Sequence, residues 1–187
     1  MRGGPKRTEA LKYMEMAVSR TDRALLISDT SGNVRYINPA FSRLFGYTLE
    51  DFRSNHPWTL LAGPLTDARL HVRNGEAAED GAGFFDDLLL RKKEGSSVWV
   101  TTRIDPVFDD SGKLEHIVAM FADVTRAKRL QGLQREVLEG LAQGTPLKDL
   151  MAHLCVQVEA LCEGTVCSIL RIDEGRCLRP LAAPSLP

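Results

Sequence analysis

No run of apolar residues in this chain approaches the ~20 needed to cross a bilayer, and the N-terminus has no apolar signal region. Charge of one sign is not in excess either. With 24 Lys and Arg against 25 Asp and Glu, the net charge is −1, so neither nucleic acid nor an anionic membrane has an electrostatic reason to bind. There is no CxxC. The four cysteines, Cys155, Cys162, Cys167 and Cys177, lie irregularly in the last third, and a reduced, cytoplasmic protein is the simplest reading. A Gly-rich phosphate loop, a GxSxG elbow, an HExxH and a paired-carboxylate arrangement are all missing, so this chain is expected not to be an enzyme. What is present is 187 residues, 43% hydrophobic and 26% charged, enough for one ordinary globular domain and part of another.

The most legible stretch is Ala24–Tyr47, which reads as strand, turn, strand and short helix. Leu25 to Ser28 and Val34 to Ile37 alternate near a period of two. Asp29-Thr30-Ser31-Gly32 suits a type I turn. Asn38 offers an N-cap, Pro39 the first helical position, and Gly46 a left-handed stop. Thr48 with Asp51 forms a capping box for another turn.

Upstream, Met1–Thr8 reads as a tail and Glu9–Val18 as a lead-in helix. Downstream, Glu50–Thr59 predicts a short helix and loop, Asp67–Arg73 a helix, and Gly75–Gly83 a surface loop. Phe84–Arg91 and Val98–Pro106 predict an antiparallel hairpin, and His116–Asp123 a last strand. After Thr125 the period changes: Leu130, Leu133, Val137 and Leu141 follow helical steps, with a stop at Gly144. Thr145-Pro146 opens a further helix bearing Leu147, Leu150, Met151, Leu154, Val158 and Leu161. Thr165–Ile172 and Arg176–Leu181 read as two strands.

Asp29, Gly32, Asn38-Pro39-Ala40-Phe41, Gly46-Tyr47, Gly95-Ser96-Ser97-Val98-Trp99 and Asp123-Val124-Thr125 together resemble a PAS domain. The resemblance implies an α+β fold, a five-stranded antiparallel sheet with helices on one face. The tail, ending Ala-Pro-Ser-Leu-Pro, resembles the opening of a GAF domain in bacterial cyclic-di-GMP signalling proteins. The organisation that follows is a tail and lead-in helix at 1–19, a PAS domain at 20–126, a signalling linker helix at 127–144, and the start of a GAF domain at 145–187, inside which the chain is expected to stop.

By that resemblance the chain is a sensory module, relaying the state of a small ligand or partner through the linker helix to an output domain in the same parent chain. A cyclic-di-GMP cyclase or phosphodiesterase is the expected output. A ligand-free dimerisation scaffold and the input of a sensor histidine kinase are the alternatives. A homodimer through the N-terminal and linker helices is implied. Pocket candidates are Ile27, Phe41, Phe45, Trp58, Leu90, Val100 and Met120, with Leu25, Leu88 and Val98 on the same predicted sheet face. Signal-transmission candidates are Trp99, Arg103, Asp123 and Thr125. Asp123 is expected to pair with Arg103, and Asp123 and Thr125 to cap the linker helix.

Leu61–Asp67 resembles a stretch of light-sensing, flavin-binding PAS domains. There the reactive cysteine corresponds to Trp58, the ring-contacting glutamine to Ala62, and two ring-facing asparagines to Leu90 and Val100. A flavin mononucleotide bound in that way is therefore not expected, because unpaired buried amide-like groups each cost ~1–3 kcal/mol. Haem has a single weak candidate ligand, His71, and no metal site is expected. The identity of any ligand is left open.

Overall fold

The computed structural model describes residues 4–64, 66, 83–162 and 164–186. The chain divides into two compact units, Met1–Thr125 and Arg126–Pro187. In the first, helix α1 (Gly4–Arg20) precedes β1 (Ala24–Asp29), β2 (Val34–Ile37), α2 (Pro39–Phe45), a 3-10 turn at Leu49–Phe52 and α3 (Pro57–Leu61). Strands β3 (Phe84–Arg91), β4 (Ser97–Phe108) and β5 (Leu114–Asp123) complete it. All pairings are antiparallel, in the order β2-β1-β5-β4-β3.

Local chemistry explains the joints. The Asp29 carboxylate accepts the N–H groups of Ser31 at 3.0 Å and Asn33 at 2.9 Å, and binds the Asn33 side-chain amide and the Arg35 guanidinium. Gly32, at φ 80°, closes this turn by donating its N–H to the Asp29 carbonyl at 3.0 Å. Helix α2 ends as expected at Gly46, whose φ of 78° is left-handed. The next amide contact is long-range: Lys93 N–H donates to the Phe45 carbonyl at 2.9 Å, fixing the β3–β4 turn over the helix end. The Thr48–Asp51 capping box is present and opens the 3-10 turn.

Two expectations change. Helix starts at Gly4, not after Thr8, because Pro5 lies in its first turn, where a missing N–H is tolerated. The helix expected from Thr145-Pro146 starts at Leu147, with Pro146 as its N-cap residue rather than its first helical position. The helix expected at Asp67–Arg73, most of the Gly75–Gly83 loop and the haem candidate His71 lie outside the described residues.

The second unit contains α4 (Thr125–Ala142, from Arg126 onward), α5 (Leu147–Leu161), β6 (Ile169–Ile172) and β7 (Leu178–Ala182). Gly144, at φ 77°, turns the chain between the helices. Gly140 faces Leu150 so closely that a Cβ there would collide with it. His153 Nε2 sits 3.0 Å from Glu136 Oε2 across the same pair. Strands β6 and β7 form an antiparallel hairpin, with Ile169 opposite Ala182. Among the described residues, no helix is long and apolar enough to cross a membrane.

Candidate signalling site

The inner face of the sheet is set by strand parity. Ala24, Leu26 and Ser28 face inward from β1, Ala119 and Phe121 from β5, Val98, Val100 and Thr102 from β4, and Phe84, Leu88 and Leu90 from β3. Phe41 and Phe45 of α2 pack onto this face with centroids 4.8 Å apart, and the Phe121 ring meets them edge-on at 5.9 and 5.3 Å. Phe52 adds a further edge contact with Phe41 at 5.9 Å. The small residues Ala24 and Ala119 leave these rings room.

Of the pocket candidates, Phe41, Phe45, Leu90 and Val100 are buried in one cluster, and Trp58 packs half-buried against it. Ile27 and Met120 do not belong there, nor does Leu25. Leu26 pairs with Ala119, so Leu25 lies opposite Met120 and Ile27 opposite Val118, on the other face. Side chains alternate along a strand, and a one-residue difference in parity exchanges the faces. Ala62 forms an isolated bridge with Leu90.

Among the described residues, Thr102 is the one inward-facing side chain whose buried polar atom has no hydrogen-bond partner: it is 1% exposed, and its hydroxyl makes no bond. It sits between Phe121 on β5 and Asp86 on β3. Asp86 is half-buried, and its Oδ1 accepts the Asp87 N–H at 2.8 Å. On the outer face, Thr101 donates its hydroxyl to Asp87 Oδ1 at 2.6 Å.

At the sheet exit, three bonds lock strand to helix. Val124 N–H donates to the Trp99 carbonyl at 2.9 Å, and Trp99 N–H donates to Thr125 Oγ1 at 3.0 Å. Asp123 Oδ1 accepts the N–H of Thr125, the first residue of α4, at 2.8 Å from one position before the N-cap residue Val124. Thr125 does not act as a cap through its hydroxyl; that group is spent on the backbone of β4. The Asp123–Arg103 pair is absent. Asp123 lies opposite Val100 and Arg103 opposite Met120, three positions along and on the other face, and Arg103 binds Asp105 at 2.8 Å instead. That bond raises the Arg103 pKa above its ordinary value.

The residue that sequence reasoning underrated is Asn38. It is 1% exposed and satisfies both ends of its amide. Oδ1 accepts the N–H of Leu25 and of Phe41, each at 2.9 Å. Nδ2 donates to the carbonyls of Val18 at 3.0 Å and Arg23 at 2.9 Å. One side chain thus joins the end of α1, the entry to β1 and the start of α2. The Asn-Pro dipeptide signals only the contact to Phe41.

The PAS domain family model matches residues 22–126. Oxygen sensor protein DosP of Escherichia coli is 25% identical over 167 residues, which cover 89% of this chain and 21% of that protein. A blue-light-activated histidine kinase of Brucella canis is 34% identical over 134 residues, 69% of this chain and 27% of that protein. The chain therefore spans about a fifth to a quarter of the length of these relatives. In structure it is similar to the PAS domain of a Colwellia psychrerythraea protein, with a TM-score of 0.57, 18% identity, and coverage of 63% of this chain and 98% of that one. With the five-stranded sheet, the Asn38-Pro39 helix start and the Asp123–Thr125 exit in place, the chain belongs to the PAS domain family.

Proposed function

We propose that this chain is a cytoplasmic sensory and dimerisation module that biases an output domain of its parent protein through helix α4. The observation that carries the reading is the clamp of Thr125 and Val124 on both backbone groups of Trp99. A shift of β4 either carries Thr125, the first residue of α4, with it or breaks these bonds, and these two outcomes support a switch at the start of the helix. Exposed Tyr13 and Met14 on α1, and Leu130, Leu138 and Leu141 on α4, support pairing of two copies through these helices. The resemblance of the tail to GAF domains of cyclic-di-GMP signalling proteins supports a cyclic-di-GMP cyclase or phosphodiesterase as the output, and the similarity to a histidine kinase supports a kinase core as the alternative. Residues 145–187 are read as the start of a GAF domain; the exposed Ile172 and Leu178 of the β6–β7 hairpin accord with that.

The reading proposed here includes no flavin held in the light-sensing manner. Leu90 and Val100 are fully buried aliphatic groups where the ring edges would need amides. A second reading, a ligand-free dimerisation scaffold, is favoured by the Phe41, Phe45, Phe52 and Phe121 rings, which fill part of the inner face. Native mass spectrometry of the purified parent protein separates the two. A dimer that retains a small molecule supports the sensor; a dimer of bare mass supports the scaffold; a monomer overturns the dimerisation part of both.

A further inference from the structure

Three contacts converge on one side of helix α5. The Sγ of Cys155, fully buried, lies 4.0 Å from the carbonyl oxygen of Ala182 on β7. Ala182 pairs with Ile169 across the hairpin. Cys167 precedes Ile169 by two residues, a spacing that returns side chains of an extended chain to the same face. Its backbone is tied to the helix as well, since Cys167 N–H donates to Glu159 Oε1 at 2.8 Å. Glu159 stands four residues after Cys155, one turn along the same helix face. Ser185 completes the frame by donating its hydroxyl to Glu159 Oε2 at 2.6 Å. Within this frame Cys167 is a neighbour of the Cys155 thiol.

The two thiols differ in access. Burial above all, then the contact with Cys167 and the Glu159 charge, pushes the Cys155 thiol up, so it stays protonated at neutral pH. Cys167 is half-buried and reaches solvent. Cys162 is also half-buried, and Cys177 is exposed with its Sγ 3.7 Å from the Gly175 carbonyl.

We propose that Cys155 and Cys167 form a reversible disulfide site, with a peroxide as the oxidant, that pins the segment leading into β6 onto helix α5. Cys167 loses its proton to water, and the thiolate attacks one peroxide oxygen. The O–O bond breaks, leaving a sulfenic acid on Cys167 and a hydroxide that takes up the proton as water. The Cys155 sulfur then attacks the Cys167 sulfur. The S–O bond breaks as the S–S bond forms, and the departing hydroxide leaves as water with the Cys155 proton. In sum, two thiols and one peroxide give one disulfide and two waters; the sulfurs lose two electrons and the peroxide oxygens gain them. Because the attacking Cys155 thiol resists ionisation, the second step is slow at neutral pH and quickens as pH rises. The site lies wholly within the second unit and does not depend on the function proposed for the PAS domain.

The test is peptide mass mapping of the 187-residue chain carrying Cys162→Ser and Cys177→Ser. The protein is treated with hydrogen peroxide, denatured, and alkylated with iodoacetamide. The expected product is a chain lighter by two hydrogens, with neither remaining cysteine alkylated and a linked pair of peptides containing Cys155 and Cys167. Dithiothreitol should restore both alkylation sites, and formation should be faster at alkaline pH. Alkylation of both cysteines after peroxide, a crosslink between chains, or a sulfinic acid on Cys167 without a crosslink would overturn the proposal. If circular dichroism shows that the double variant does not fold, the same mapping on the unsubstituted chain decides: a dominant Cys155–Cys167 link is expected, and any other dominant pairing overturns it.

Discussion

Thr125, the first residue of α4, holds Trp99 of β4 by its side chain: the Trp99 N–H donates to Thr125 Oγ1 at 3.0 Å, and the same hydroxyl lies 3.4 Å from the Trp99 carbonyl. Trp99 is 26 residues earlier in the chain, so the contact exists only when β4 and β5 are in register. Asp123 fixes the geometry from the other side by accepting the Thr125 N–H. Together the pair makes the helix start a property of the sheet.

Asn38 governs how the module is tied together at its other end. Replacing it with Ala removes a helix cap and leaves the Leu25 N–H and the Val18 and Arg23 carbonyls, in part-buried bonds, without this partner. A loss of about 3 kcal/mol is expected from urea denaturation. Asn38→Asp keeps the acceptors for Leu25 and Phe41 but sets an oxygen against the carbonyls of Val18 and Arg23. A carboxyl there has its folded pKa raised by burial and by those carbonyls. The variant should therefore be most stable below the unfolded pKa and lose stability as pH rises through the folded one.

Thr102 predicts a gain. Its hydroxyl is buried without a partner, whereas Val has the same shape with a methyl in its place. Thr102→Val should raise stability by about 1 kcal/mol in denaturant. A loss of similar size would mean that the hydroxyl is bonded in solution, to water or to a ligand.

The Asp29 turn predicts a pH dependence. The Asn33 side-chain amide, with help from the Asn33 N–H, the Arg35 guanidinium and the Ser31 N–H, holds the Asp29 carboxyl at about 2, below its ordinary 3.8. Its stabilising effect is thus complete above the unfolded pKa and is lost as pH falls from about 4 towards about 2. Urea midpoints of wild type and Asp29→Asn should differ at neutral pH and converge across that window. A constant difference would show that the carboxylate charge is not what the turn uses.

How much of this was legible in the sequence depended on which residues faced which way. On β4, Val98 and Val100 alternate with Trp99 and Thr101, and on β3 the charged Asp87 and Arg91 flank the Leu88–Leu90 run at outward parity, so the inward face could be read there. On β1 and β5 the runs Ala24–Ile27 and Ile117–Ala122 are apolar on both faces, and periodicity carries no parity. Size decided instead: Ala24 and Ala119 face in because the Phe41, Phe45 and Phe121 rings need the space, which placed Ile27 and Met120 outside. The Arg103–Asp123 pairing required the register of two strands, which no local pattern contains. Asn38 was visible as a cap, but three of its four partners, at Val18, Arg23 and Leu25, are 13 to 20 residues away.

The junction between β4 and α4 is tested most directly by amide hydrogen exchange of Thr125→Val against wild type, with Thr125→Ser as the control that keeps the hydroxyl. Faster exchange at Trp99 and through the first turns of α4, restored in the Ser variant, is the predicted result. Unchanged protection at both places would contradict the claim that the sheet holds the helix.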